Sequence, residues 1–129
     1  MEDQSMEINQ ELLEIAMGII VDAGDARTHI AEGFSAIAKG EFEICETQIQ
    51  EAKNLLAAAH NRQTEVIQNE CGGKATQHSL IFIHAQDTLM TINSELNVCR
   101  QILEINREQN KRFEKIEESL RFLMESKGV

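Results

Sequence analysis

Apolar residues recur at intervals of three and four along most of this chain, which is the pattern of amphipathic helices. The first such stripe predicts a helix over about residues 5 to 39, with Gly40 as its C-terminal cap. Gly18, Gly24 and Gly33 lie inside it, where each costs about 1 kcal/mol relative to alanine. They indicate either close backbone packing or an interruption of the helix near Gly24. The stripe consists of Ile8, Leu12, Ile15, Ile19, Ala23, Ala26, Ile30, Phe34 and Ile37.

A second stripe begins at Glu41 or Phe42 and predicts a helix that runs to Cys71. Residues 72–78 follow, and the two glycines that open this stretch predict a loop. The stripe consists of Phe42, Cys45, Ile49, Ala52, Leu56, Ala59, Gln63 and Val66.

A third helix is predicted to begin near Ser79, with a core stripe followed by a polar block over residues 106–112. The block is either a solvated stretch of continuing helix or a break, and helical spacing returns at Phe113, Ile116, Leu120 and Leu123. We interpret residues 107–129 as a helical extension of the third helix, within the same domain as residues 1–106. The core stripe consists of Ala85, Leu89, Ile92, Leu96, Cys99 and Leu103.

Three amphipathic segments with short connections predict an all-α, antiparallel up-down-up three-helix bundle. The absence of Pro, Trp and Tyr from the 129 residues also favours helices. The third helix carries more apolar surface than one core stripe needs, which predicts a homo-oligomer. The additional residues are Ile81, Phe82, Ile83 and Met90.

Charge and cysteine content limit the possible partners and compartment. The net charge of −10 argues against a nucleic-acid partner and favours a protein with a basic docking face. Cys45, Cys71 and Cys99 are odd in number and widely spaced, as expected of reduced cysteines, two of which would fill the core. An acidic N-terminus and the lack of a long apolar run predict a soluble cytoplasmic protein without membrane insertion.

His84 lies in the middle of an apolar helical run, and Asp87 follows three residues later on the same side of the predicted helix. A lone histidine in such a run is often a packed core residue. Alternatively, the pair would bind a metal with His29, His60 or His78 as a third ligand. A third alternative is a phosphoryl carrier, because a neutral imidazole is a competent nucleophile near neutral pH. The spacing alone does not choose among them.

The stretch from Ser79 to Thr91 resembles the Ser-Leu-x-x-x-His-Ala-Gln-Asp-His-Leu-Met-Thr motif of a bacterial protein family. This family comprises the lactose and N,N′-diacetylchitobiose (cellobiose) class IIA components of the phosphoenolpyruvate-dependent sugar phosphotransferase system. The resemblance covers about residues 11 to 106, and Thr88 stands where the family has its second motif histidine. Further matching positions are Met17 to Ile20 with Gly24, Ala26 and Arg27, Ala38 to Phe42, and Ala59-His60 with Gln63-Thr64.

The resemblance implies that His84 is phosphorylated on its tele nitrogen, Nε2. It would accept the phosphoryl group from the phosphohistidine of HPr and pass it to a cysteine of the IIB component. IIB then phosphorylates the sugar as it passes through the membrane permease IIC. Gln86 and Thr88, or residues of another subunit, would hydrogen-bond the phosphoryl oxygens.

The resemblance also implies a homotrimer in which Asp87 lies at the threefold axis and binds one magnesium ion per trimer. The residues alone favour a different role for Asp87, which is to orient the His84 ring through a hydrogen bond. We favour the metal role, because three carboxylates on one axis repel one another and require protons or a hard cation. A helical adaptor without catalysis and a two-component phosphotransfer domain are the alternatives from other functional classes.

Overall fold

The computed structural model describes the backbone of residues 2–71 and 80–128, and the side chains of residues 10–69 and 80–128. It contains the helices α1 (Glu2–Ala38), α2 (Phe42–Cys71) and α3 (Leu80–Ser126). The predicted all-α, antiparallel three-helix bundle is confirmed. The predicted loop over residues 72–78 lies outside the described residues.

α1 and α2 are joined by a tight turn that reverses the chain. Gly40 has φ of 73°, a left-handed conformation that costs other residues about 1–2 kcal/mol. Its amide donates to the carbonyl of Ile37 at 3.0 Å, and the amide of Glu41 donates to the carbonyl of Ala36 at 2.9 Å. These two bonds form a Schellman cap, so the predicted C-terminal cap at Gly40 is confirmed.

α1 is continuous through its internal glycines, so an interruption near Gly24 is wrong. Close packing is confirmed at Gly33, where an added Cβ would lie 3.4 Å from the Cys99 sulfur. At Gly18 the added Cβ would lie 2.6 Å from Nη1 of Arg62, the end of a partly exposed side chain, so this contact does not show close backbone packing. Nothing lies within 4 Å of the equivalent position at Gly24, so packing does not account for that glycine.

One apolar core runs between the helices, and the predicted stripe of α3 is buried throughout. Cys45 and Cys99 are buried free cysteines in this core, as predicted for two of the three cysteines, and their thiols lie in contact. Phe82 is buried as well, so its assignment to an exposed apolar excess is wrong, because Phe82 lies one turn before Ala85 in the same stripe. Ile83 and Met90 are exposed as expected, whereas Ile81 is half-buried against the core.

The C-terminal part of α3 extends beyond the bundle. Leu103 is its last buried residue, and α3 continues without a break through the polar block to Ser126. Every residue from 108 to 128 is exposed. The polar block is therefore a solvated stretch of continuing helix rather than a break. None of the described helices is long and apolar enough to cross a bilayer.

Candidate functional site

His84 lies in the second turn of α3, just before the buried Ala85, and its ring is exposed. Among the described residues, no hydrogen bond or ion pair involves this ring. Side chains on a helix lean toward its N-terminus, so a group carried by His84 lies over the first turn, near Leu80. The positive end of the helix dipole favours an anion there. The interpretation of His84 as a packed core histidine is therefore wrong.

Exposed apolar side chains border the His84 ring. Leu80, one turn earlier on the same side, is 83% exposed, and Ile83 and Met90 flank Asp87. An apolar patch around a polar nucleophile is typical of a surface that docks against another protein.

Asp87 is exposed one turn after His84. Its carboxylate makes no hydrogen bond or ion pair with another described residue, so no contact with His84 supports an orienting role. In the part of the chain that the structure describes, no three His, Cys, Asp or Glu side chains form a metal-binding group. A single chain therefore offers a cation one carboxylate at this position.

The histidines that the sequence offered as further metal ligands lie elsewhere. His29 Nδ1 is 2.6 Å from Oε1 of Gln48, a contact between α1 and α2. His60 lines an open cleft between α2 and α3 together with Lys53 and Arg100. His84 does not line this cleft, and His78 lies outside the described residues. The structure does not bring a metal site together from His84, Asp87 and His29 or His60.

Thr88 and Gln86 lie in different positions relative to His84. The Thr88 hydroxyl donates to the His84 carbonyl at 2.8 Å, so its one proton is already used within the helix. Gln86 is half-buried, and residues two apart on a helix do not face each other. Within one chain, Thr88 is therefore beside His84 but Gln86 is not.

The guanidinium of Arg27 makes two hydrogen bonds to the Glu95 carboxylate across α1 and α3, at 2.7 and 3.2 Å. This pairing raises the pKa of Arg27. Asp22, which is close to Arg27 in sequence, pairs instead with Arg62 at 2.9 Å. Glu95 is 11 residues after His84, or about 16 Å along α3, so Arg27 is not beside the histidine.

A family model described as the lactose/cellobiose-specific IIA subunit of the phosphotransferase system matches residues 14–107. The chain belongs to this family. It is a IIA component of the phosphotransferase system, a phosphoryl carrier, as the resemblance predicted. The match includes His84, Asp87 and the whole buried part of α3, and it ends where the exposed part of α3 begins.

Individual relatives of this IIA component support the same family assignment. It is 36% identical over 98 residues to the lichenan-specific phosphotransferase enzyme IIA component of Bacillus subtilis, covering 76% of this chain and 89% of that protein. The crystal structure of PtcA from S. mutans superposes with a TM-score of 0.74 and 34% identity, covering 76% of this chain and 96% of that one.

A further structural neighbour is the IIA(Chitobiose)-HPr complex of Escherichia coli. It superposes with a TM-score of 0.68 and 26% identity, covering 77% of this chain and 96% of that one.

Sequence reasoning on this IIA component found His84 through the motif. It missed the Arg27–Glu95 pair, because the two residues lie on separate helices and nothing in the sequence near either one indicates the other as its partner.

Proposed function

We propose that His84 is the residue that carries the phosphoryl group in this IIA component. The observation that supports it most directly is an exposed imidazole at the motif position, inside the family match. Nε2 of the neutral ring attacks the phosphorus of a phosphohistidine on HPr. The new P–N bond forms as the old one breaks, and the electron pair returns to the donor imidazole. The donor imidazole is the leaving group, and no oxidant or reductant takes part.

In the second transfer, a cysteine thiolate of IIB attacks the same phosphorus. The P–N bond to His84 breaks, and a P–S bond forms. Transfers of this kind depend on in-line approach and stabilisation of the equatorial oxygens. An exposed histidine on a rigid helix, bordered by Leu80 and Ile83, allows both partners to approach in turn. IIC is reached only through IIB.

HPr is the donor because a relative of this fold forms an IIA(Chitobiose)-HPr complex. The net charge of −10 suits a donor with a basic docking face, because complementary charge raises the rate of encounter. These partners make this chain a cytoplasmic component of uptake for a sugar of the lactose, cellobiose or chitobiose type.

We further propose that the working form is a trimer with Asp87 on its threefold axis. The exposed face of α3 around Asp87 is apolar at Ile83 and Met90, which suits burial against other copies. Three carboxylates brought together there fit one hard, oxygen-liganded cation, and Mg²⁺ is the ion we expect. The cation would supply charge neutralisation that holds the three copies together.

Thr88 and Gln86 would serve the phosphoryl oxygens in different ways. The Thr88 hydroxyl must leave the His84 carbonyl to donate to a phosphoryl oxygen. Gln86 points away from His84 of its own chain, so it would reach a phosphoryl group on a neighbouring copy.

Labelling with radioactive phosphoenolpyruvate, enzyme I and HPr tests the assignment of His84. We expect acid-labile label on the wild type and none on His84→Ala. His60→Ala is the matched control, since it removes another exposed histidine, and it should be labelled like the wild type. An unlabelled wild type, or a labelled His84→Ala, would contradict the proposal.

Sedimentation equilibrium with and without a chelator tests the role of Asp87. The wild type should dissociate when divalent cations are removed, because three carboxylates then repel one another. Asp87→Leu removes both the repulsion and the ligands, so its assembly should not respond to the chelator. Wild-type assembly that is indifferent to the chelator would argue against a metal at Asp87.

A further inference from the structure

The exposed end of α3 lies outside the family match, and the proposed phosphoryl transfer does not use it. We call residues 108–126 the C-terminal segment; it is about 28 Å long and exposed throughout. Six large apolar side chains on it are exposed by half or more, among them Phe122 at 70% and Leu120 at 53%. Exposed apolar surface of this extent marks an interaction site.

The apolar residues of the C-terminal segment form a seam. Phe113, Ile116, Leu120 and Leu123 follow one another at intervals of three, four and three, which is the a and d spacing of a heptad repeat. Arg112, Phe113 and Ile116 line a shallow depression together with Gln109. Four residues at these positions form the hole that receives a side chain of the facing helix in a coiled coil.

We propose that the C-terminal segments of three copies of this chain form a parallel coiled coil. With Phe113 at a, Arg112 occupies g of the preceding heptad and Glu117 occupies e of the heptad that Phe113 opens. In a parallel coil, g of one copy faces e five residues later on the next copy. Arg112 of one copy thus meets Glu117 of its neighbour, and these opposite charges set the parallel orientation.

The seam continues onto the face of α3 that carries Asp87. Exposed residues continue the line upstream at intervals of three, four and seven: Gln109, Ile105, Val98, Ser94, Thr91 and Asp87. Two heptads alone are too short for a stable coiled coil. The coil therefore depends on the rest of the α3 face, and in this respect it rests on the proposed trimer.

The charges of the C-terminal segment and its flanking residues favour another copy over a membrane surface as the occupant. Residues 107–128 carry basic Arg107, Lys111, Arg112, Lys115, Arg121 and Lys127 and acidic Glu108, Glu114, Glu117, Glu118 and Glu125. A helix that lies on anionic lipid has a strongly basic polar face. The mixed charges here fit pairing between identical helices.

Two substitutions in the full-length protein test whether assembly depends on the seam or on any exposed apolar residue of the C-terminal segment. Leu120→Ser removes a seam residue, and Phe122→Ser removes an apolar residue that is even more exposed but lies off the seam. Sedimentation equilibrium should show Leu120→Ser weakening assembly at least about 100-fold, since three leucines lose burial. Phe122→Ser should change it by less than about threefold. Equal effects of the two substitutions would overturn the proposal.

The charge pair tests the orientation. Arg112→Glu and Glu117→Arg should each weaken assembly about tenfold through three lost pairs, and the double variant should recover to within about twofold of the wild type. A double variant weaker than either single variant would overturn the parallel arrangement. A wild-type mass of two copies would overturn the three-stranded coil.

Phosphoryl labelling of the same variants separates this inference from the proposed function. Labelled wild type with a Leu120→Ser variant that assembles normally would overturn the coil alone. Unlabelled wild type with lost assembly in Leu120→Ser would overturn the His84 assignment and support the coil. A wild type that is monomeric and sediments with anionic phospholipid vesicles would overturn the coil in favour of a lipid surface.

Discussion

Alanine substitution of the three glycines inside α1 compares one change in three different surroundings. At Gly24 the added Cβ meets nothing within 4 Å. At Gly33 it lies 3.4 Å from the sulfur of Cys99 and 3.6 Å from that of Cys45. At Gly18 it lies 2.6 Å from Nη1 of Arg62, too close for that side chain to stay where it is.

These distances predict how the three alanine variants rank by free energy of unfolding. Gly24→Ala should raise the free energy of unfolding by about 1 kcal/mol, because only the helix propensity changes. Gly33→Ala gains the same amount but must move a thiol by a few tenths of an ångström, so we expect a net gain of about 0.5 kcal/mol. Gly18→Ala displaces Arg62 from Asp22, a partly exposed pair of at most about 1 kcal/mol, so its net effect should be near zero.

Thermal and denaturant unfolding at one fixed protein concentration measure these differences, because the proposed self-association would make the midpoint depend on concentration. Gly24→Ala should raise Tm by about 3–5 °C. In an Arg62→Ala background the displaced pair is already absent. Gly18→Ala should then gain the full value of about 1 kcal/mol.

The reasoning fails if the order differs. Destabilisation by Gly24→Ala would show that another surface packs against this glycine, such as a second copy of the chain. A full gain for Gly18→Ala with Arg62 present would show that the Asp22–Arg62 pair contributes nothing measurable.

Three further predictions concern the core, the turn and the surface. Burial raises the pKa of Cys99 to about 12 from 9.0, so the native thiol keeps a proton that the unfolded chain releases. The free energy of unfolding should therefore fall as pH rises from 9 toward 12, with a smaller slope in Cys99→Ala. Gly40→Ala should cost about 1–2 kcal/mol in thermal unfolding, whereas Gly128→Ala, at the exposed end of the chain, should cost little. Arg27→Ala should lower the melting temperature only slightly, and the difference from wild type should shrink in high salt while phosphoryl labelling stays unchanged.

Local spacing was sufficient to predict the helices and their buried faces, because a residue and its neighbours three and four positions away share one side of a helix. Ala85, Leu89 and Leu96 are buried for this reason. Phe82 fits the same rule, and the error there was to exclude it from the stripe. The bundle itself followed from three such stripes with short connections.

Contacts between helices were beyond this reasoning, because they depend on how the helices are rotated and offset when they pack. Arg27 shows this, since Asp22 and Asp25 are near it in sequence but lie at spacings that do not face it. Its partner Glu95 is 68 residues away. Likewise, the motif located His84, but only the structure showed that the Thr88 hydroxyl is bonded to the His84 carbonyl.

α3 connects the candidate phosphoryl site to the C-terminal segment as one rigid element. No Gly or Pro occurs between Leu80 and Ser126, and the helix is unbroken over that range. The rotation of the helix at Asp87 therefore fixes which side chains face the same way at Leu120. Any assembly that brings three Asp87 carboxylates together also brings three seams into register. Contacts along the seam would then stabilise the arrangement of copies around His84 without touching the histidine.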